Sequence, residues 1–174
     1  MPILQQDFFN RPTLIVAREL LGKFLVRRIG AQEMALMITE VEAYDGLRDK
    51  ASHASRRETQ RNKIMFGPAG FWYVYFTYGM HWMLNVVTRE AGYPAAVLLR
   101  GVDGVIGPGR LTKHYKIDKK FNACEASVAS GLWIEDRGFV IKPGVVKKTP
   151  RIGVAYAGEV WSQKPWRFLF AGKR

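Results

Sequence analysis

Apolar residues recur along the chain with two periods, and each change of period marks an element. Between Pro12 and Leu21 the spacing is helical: Leu14, Ala17, Leu20 and Leu21 lie at i, i+3, i+6 and i+7, which predicts a short helix entered at Pro12 and stopped by Gly22. The period then falls to two. In KFLVRRI, Phe24, Val26 and Arg28 alternate with Leu25, Arg27 and Ile29, and beyond a turn at Gly30 the segment AQEMALMITEVEAY continues as a second strand. A polar, basic stretch with neither period follows, DGLRDKASHASRRETQRNKIMFGPAG; loops of this length in compact domains are usually functional or mobile. The densest apolar stretch is GFWYVYFTYGMHWMLNVVT. Two strand-like runs, Phe71–Thr77 and Trp82–Thr88, flank Tyr78, Gly79 and Met80, predicting a β-hairpin with an aromatic at its tip. PAAVLLRGV reads as a strand ending in Arg100, and GPGRLTKHYKI as a Gly-Pro-Gly turn into a short helix. LWIED, GFVIKPG, RIGVAYAG and RFLF read as short strand pieces. With no repeat, linker or composition break, these elements predict a mixed α/β (α+β) fold. Residues 1–174 form one domain around a mainly antiparallel sheet, with a protruding β-hairpin.

Composition supports this fold and adds a question. The 174 residues are 48% hydrophobic and 13% aromatic, ample for a core, which excludes a disordered or low-complexity chain. They carry 27 Lys plus Arg against 15 Asp plus Glu, a formal net charge of +12. Such an excess on a compact fold attracts polyanions and makes nucleic acid the leading partner class. Solubility alone, or a membrane surface, is served by the same sign, but a membrane-surface binder calls for a long basic amphipathic helix that is not visible. The single cysteine, Cys124, cannot form an internal disulfide, so nothing requires an oxidising compartment. There is no apolar run of about 18 residues, and MPILQQDFF shows no secretory signal. An intracellular, soluble domain is expected, with no membrane contact.

Candidate chemistry begins on ITEVEAY. As a strand it places Leu36, Ile38, Glu40, Glu42 and Tyr44 on one face and Met37, Thr39, Val41 and Ala43 on the other. Either both glutamates are solvated on an exposed half-strand, or one sits in a cleft as a general base on a water. In the second case desolvation raises its pKa while a nearby arginine opposes the rise. His53, alone in the long loop, is by residue type more often a surface hydrogen-bonder than a catalyst. Glu40, Glu42, Asp45 and His53 match no closed ligand spacing, so no metal is expected. Cys124 with His114 makes no defensible nucleophile dyad. Among the hairpin aromatics, Trp72, Tyr73, Phe76 and Trp82 are assigned to the core. Tyr75 and Tyr78 are an odd number apart, so both can address one ligand only if the chain bends at the turn. A tyrosine at a hairpin tip suits a wedge in the minor groove, and an enzyme acting on a base must fill the gap left by the flipped nucleotide.

Five segments in order, TEVEAYDGLRDKASH, RNKIMFGPAGFWYVYFTYGMHWMLNVV, AAVLLRGV, GPGRL and RIGVAYAG, resemble the alkyladenine (3-methyladenine) DNA glycosylase family, in its monofunctional branch without a helix-hairpin-helix. The similarity runs from DFFNRPTLIVARELLGKFLVR to KPWRF; NACEASVASG carries none of it. Many members continue beyond the point where RFLFAGKR ends here. The resemblance implies a single mixed α/β domain without metal or cofactor, acting as a monomer on double-stranded DNA that contains damaged purines. It would work at the nucleoid in the cytoplasm of a bacterium or in the nucleus of a eukaryote. It also implies roles. Glu42 matches the catalytic glutamate that deprotonates the water attacking C1′, and Arg100 an arginine near that water. Tyr44 and Tyr75 match the aromatics that stack on the flipped base, His53 a pocket histidine that hydrogen-bonds the nucleotide, and Asn85 an asparagine that clashes with the exocyclic amine of guanine. Tyr78 matches the minor-groove wedge and Met65 a hydrophobic residue beside it, while Met83 adjoins the pocket wall. Arg56, Arg57, Arg61, Lys63, Arg110 and Lys113 are the candidates for phosphate contacts.

The implied reaction is hydrolysis of the N-glycosidic bond of alkylated purines, leaving an abasic site. No lysine Schiff base, and so no strand-cleaving lyase step, is implied. Two alternatives stay open at the level of sequence. One is a non-catalytic minor-groove nucleic-acid binder; the other is a metal-dependent nuclease built on Glu40, Glu42 and Asp45.

Overall fold

The computed structural model describes residues 1–172; Lys173 and Arg174, at the end of RFLFAGKR, lie outside them. A four-residue helix, α1 (Gln6–Phe9), precedes α2 (Thr13–Leu20). Pro12 is the cap of α2 rather than its first residue, so the buried stripe falls on Thr13, Val16, Ala17 and Leu20. Val16 takes the place expected of Leu14. Among the described residues nine strands follow the helical start: β1 (Phe24–Ile29), β2 (Gln32–Asp45), β3 (Trp72–Thr77), β4 (His81–Val87), β5 (Ala95–Val102), β6 (Val105–Ile106), β7 (Leu132–Glu135), β8 (Val146–Thr149) and β9 (Arg167–Phe170). Helix α3 (Pro108–His114) lies between β6 and β7, and α4 (Gly158–Ser162) before β9. The sheet runs β3-β4-β5-β2-β1-β7, with β6 beside β5 and β9 joining β2 to β8. Every pairing is antiparallel, as expected.

The long β2 changes partner half-way. Gln32–Met37 pairs with β1. From Ile38 onward the strand pairs with β5, and at Glu40–Glu42 it also pairs with β9. Irregularities in the β5 register on both sides of Glu40 interrupt strict alternation. As a result Ile38, Glu40, Val41, Glu42 and Ala43 are all buried. The solvated half-strand is thereby ruled out: strands lie on either side of both glutamates, Glu42 has no exposed surface and the Glu40 side chain keeps only 8%.

One core cluster spans the sheet and helices, with Leu20, Leu25, Ile38, Val41, Trp72, Leu84, Leu99, Leu111 and Tyr115 at its centre. Trp72 and Tyr73 are buried as expected, and the Trp72 indole N–H donates to Leu132 O (3.1 Å). Trp82 is partly buried against the same core. Phe76 departs from expectation at 44% exposure. Strand β4 pairs with β5 only through Asn85, Val86 and Val87, so the outer half of the hairpin leaves the sheet, and the Phe76 ring packs against Trp82 at 4.8 Å. The hairpin leans instead on α3. Thr112 donates to Trp82 O (2.9 Å), and Gly109 comes so close that a Cβ there would stand 2.7 Å from the His81 ring. At the tip Tyr78 and Gly79 both have left-handed φ, 53° and 65°, and Met80 N–H bonds Thr77 O, the signature of a type I′ turn.

Three strand expectations need correction. GFVIKPG is irregular and ends in a 3-10 turn at Pro143–Val145, the neighbouring strand being Val146–Thr149. RIGVAYAG is also not a strand: Gly153 takes φ 75°, and Ile152 N–H is spent on a side chain rather than a neighbouring strand. The PAAVLLRGV strand runs past Arg100 to Val102, because Gly101 and Val102 pair with β6. The long polar segment is a loop with one 3-10 turn, Lys63–Phe66, organised by buried Asn62. That side chain donates to His53 O and Arg57 O (both 2.9 Å) and accepts from Thr59 N–H (2.7 Å). Among the described residues no helix is long and apolar enough to cross a membrane.

Asn62→Ala strands two partly buried carbonyls and one N–H. It should lower the unfolding free energy by about 1–3 kcal/mol, measured by urea denaturation, and speed amide exchange in the segment around His53.

Candidate active site

Strands β2 to β5, the long loop and the segment after Pro150 enclose a cavity of about 300 Å³. The eight residues assigned by resemblance to catalysis, base binding and the wedge, namely Glu42, Tyr44, His53, Met65, Tyr75, Tyr78, Asn85 and Arg100, all line it. So do Tyr73, Met83, Tyr156 and Ile152–Val154. The bend needed to bring Tyr75 and Tyr78 to one cavity is the left-handed turn at Tyr78.

Glu42 has 0% exposure. Its Oε1 accepts the Ile152 backbone N–H (2.8 Å) and lies 3.4 Å from Arg100 Nη1, and its Oε2 accepts the Tyr44 hydroxyl (2.8 Å). Burial pushes the Glu42 carboxyl above the ordinary range; Arg100, the Ile152 N–H, the Tyr44 hydroxyl and Arg151 act against that rise. Burial also raises the Tyr44 phenol well above its usual value, so it stays protonated and donates to the carboxylate. Glu40 does not line the cavity. Its Oε1 receives both Arg100 Nε (2.8 Å) and Arg167 Nε (2.7 Å), which aims Arg100 at Glu42.

The opposite wall is aromatic. His53 Nδ1 lies 3.0 Å from the Tyr73 hydroxyl, and its ring meets Tyr75 edge-on at 4.6 Å. The residue keeps access to the cavity opening, yet packing of the ring desolvates it. That desolvation, followed by the charge of Arg61, holds the His53 pKa below its ordinary value. A neutral ring keeps one donor and one acceptor nitrogen. Burial pushes the Tyr73 phenol up to about 12 and Tyr75 higher still. Asn85, buried beneath them, donates to Tyr73 O (3.1 Å).

Tyr78 stands at the lip, 78% exposed, with its hydroxyl 3.9 Å from where a Cβ on Gly153 would lie. Met65 requires correction: at 2% exposure it packs with Tyr73 and Ala96 in an inner cluster. It forms part of the cavity wall and, unlike Tyr78, presents no side chain to a duplex at the surface. The exposed methionine next to Tyr78 is Met80, at 67%, and its place in the YGM turn was the signal for it. The six candidate phosphate contacts are all exposed. Arg56, Arg57, Arg61 and Lys63 belong to the long loop and Arg110 and Lys113 to α3, so they flank the hairpin. Arg61 is already engaged, donating to Phe76 O (3.1 Å) with its guanidinium 5.3 Å from the Tyr75 ring centre.

Among the described residues no group of three or more His, Cys, Asp or Glu could hold a metal ion. Glu40 and Glu42 meet the donors named above, and Asp45 accepts from Thr13 Oγ1 (2.8 Å). Cys124 bonds Lys120 O. The residue reading missed Tyr73 as partner of His53. It also missed a buried ion pair behind Tyr44, Asp49 with Arg151, whose signal was an arginine heading the apolar RIGVAYAG.

With this geometry in view, comparison with known proteins is direct. The sequence profile of the methylpurine-DNA glycosylase family matches residues 7–107 and 101–174. A protein of Methanocella arvoryzae (strain DSM 22066 / NBRC 105507 / MRE50), named "Putative 3-methyladenine DNA glycosylase", is 44% identical over 188 aligned positions, covering 97% of this chain and 92% of its own. Proteins of the same name from Legionella pneumophila (strain Corby) and Wolbachia pipientis wMel are 42% and 43% identical. Each covers 95% of this chain, and the chain covers 92% and 90% of theirs. The profile and these relatives span nearly the whole sequence, and the chain belongs to the methylpurine-DNA glycosylase family of DNA glycosylases.

Proposed function

We propose that this protein is a monofunctional repair glycosylase. It acts as a monomer, flips alkylated purines such as 3-methyladenine out of duplex DNA, hydrolyses their N-glycosidic bond with a Glu42-activated water and leaves an abasic site. The observation that carries this reading is a fully buried carboxylate, Glu42, kept basic by oriented donors in a cavity walled by tyrosines. A carboxyl with a raised pKa is suited to general-base work near neutral pH. A purely DNA-binding protein gains nothing from burying such a group.

In this mechanism the flipped base enters between Tyr44 and Tyr75. An N3- or N7-alkylated purine is cationic, so the aromatic faces favour it by about 0.5–2 kcal/mol, and it departs as a neutral base without acid assistance. Charge then moves to the sugar, whose oxocarbenium character the Glu42 carboxylate stabilises. Glu42 takes the proton of the attacking water, and Arg100 holds carboxylate and water together. Asn85 rejects guanine through its exocyclic amine, and His53 hydrogen-bonds the nucleotide. Tyr78, with Met80 beside it, occupies the gap in the duplex. A left-handed tyrosine costs about 1–2 kcal/mol, strain of the kind found at functional sites. The cations of the loop and α3 hold the phosphates.

Base release from methylated duplex DNA should fall as pH drops through the Glu42 pKa, which burial places above the ordinary carboxylate range. The acid limb of single-turnover rates is the measurement, and a limb at ordinary glutamate values contradicts the assignment. Glu42→Gln should abolish release while duplex binding persists. It should also melt higher than wild type at neutral pH. A carboxyl whose folded pKa is raised contributes stability below its unfolded pKa and loses it as pH rises through the folded value, so the advantage of Gln disappears under acid conditions. Tyr78→Ser should weaken binding to a lesion duplex and reduce flipping, read by fluorescence of a reporter base, with an unchanged or raised melting temperature. If Tyr78→Ser unfolds the protein, the tyrosine belongs to the core.

A further inference from the structure

Behind Tyr44, on the side away from the cavity, lies an ion pair with no access to water. Arg151 and Asp49 both have 0% side-chain exposure. Arg151 Nη1 donates to Asp49 Oδ2 (2.6 Å) and Nη2 to Asp49 Oδ1 (2.8 Å). Nη1 also donates to Ala43 O (2.8 Å) and Nη2 to Trp161 O (3.3 Å). The guanidinium lies between two rings, 4.7 Å from the centre of Tyr44 and 5.1 Å from that of Trp166. Asp49 is equally committed, accepting the backbone N–H groups of Asp45 (3.2 Å) and Ala51 (3.1 Å) as well.

These contacts converge on one neighbour. Ala43, whose carbonyl Arg151 grips, is the residue between Glu42 and Tyr44. Tyr44, on whose ring it stacks, donates to Glu42 Oε2. Ile152, the residue after Arg151, donates its N–H to Glu42 Oε1. Two of the three donors to Glu42 are therefore leashed to one side chain, and the third, Arg100, is leashed separately by Glu40. Buried ion pairs can often be exchanged for apolar residues without loss of stability. What an apolar pair cannot reproduce is a set of directed bonds.

We propose that the Asp49–Arg151 pair is a positioning device for the catalytic base: it holds the Ile152 N–H and the Tyr44 hydroxyl on the two oxygens of Glu42. The proposal rests on Glu42 being the base of the reaction described above. The groups that face Glu42 are Tyr44 and, one pleat away, Glu40 from β2; Arg100 from β5; Tyr75 from β3; and Arg151 and Tyr156 from the segment before α4. Arg167 of β9 reaches only Glu40. Of these, only Arg151 touches both Tyr44 and the chain at Ile152.

The test reads Glu42 directly. In full-length protein labelled with 13C at glutamate carboxyls, the Glu42 signal is assigned by its loss in Glu42→Gln and followed through a pH titration. Three proteins are compared: wild type, Arg151→Lys, which keeps the charge but not the planar fork, and the double variant Asp49→Leu/Arg151→Met. Melting curves establish that each is folded. The Glu42 midpoint should rise by about one pH unit in both variants. The acid limb of base release from methylated duplex DNA should move upward with it. An unchanged midpoint in the folded variants overturns the proposal, because a pair that only fills space would alter melting without altering titration. The titration needs no DNA. A wild type that releases no base therefore overturns the glycosylase reading by itself, and a flat titration overturns only the positioning role.

Discussion

A carboxylate taken out of water must find donors or accept a proton, and the site is built around holding Glu42 between those outcomes. Its 0% exposure supplies the upward pressure on its pKa. Donors from β2, β5 and the segment after Pro150 supply the opposing pressure. Too little burial leaves an ordinary surface glutamate; too few donors leave a neutral acid that accepts no proton. Much of the surrounding architecture serves that balance. The partner change along β2 seals Glu42 against β5 and β9, and Glu40 ties down two arginines so that one of them points at its neighbour.

The recognition surface obeys a different constraint. The inner half of the hairpin is core, with Trp72, Tyr73 and Leu84 buried, while the outer half ends in the exposed Phe76, Tyr78 and Met80. Separation from β5 is what allows projection, and the seat on α3 is what prevents collapse. Glycine at position 109 matters because it alone permits that seat. The same helix carries Arg110 and Lys113, so charge and hairpin are fixed relative to one another.

The parts of the fold set by local pattern were legible in the sequence. Period-two alternation around Tyr-Gly-Met located the hairpin to within a residue, α2 was marked by Pro12 at its start and Gly22 beyond its end, and α3 by the Gly-Pro-Gly turn that opens it. Failures share a physical cause, namely backbone groups or partners that pattern does not encode. The β5 register irregularities around Glu40 accompany burial of four consecutive positions, 40–43, that alternation would have split between two faces. RIGVAYAG looked like a strand because its apolar content is real, yet its N–H at Ile152 serves a carboxylate 110 positions away. Asp49 and Arg151 lie 102 positions apart, and nothing local to either announces the other. The residues alone reached Glu42 as one of two readings and singled out Tyr75 and Tyr78. Only the family resemblance supplied Asn85 and Arg100, and the Met65 that it named is buried in the cavity wall.

The pairing of β9 with Glu40–Glu42 has a consequence for how the enzyme comes into being. A ribosome delivers β2 well before the Arg151–Phe170 region, and domains fold as the chain emerges. Until that later stretch docks, Glu42 lacks the Ile152 N–H, and Arg167 and β9 do not yet cover its strand. The chain can present a basic surface and the aromatic hairpin while its carboxylate is still an ordinary wet one. The donor set around Glu42 is thus completed only when a segment made 110 positions later docks against its strand.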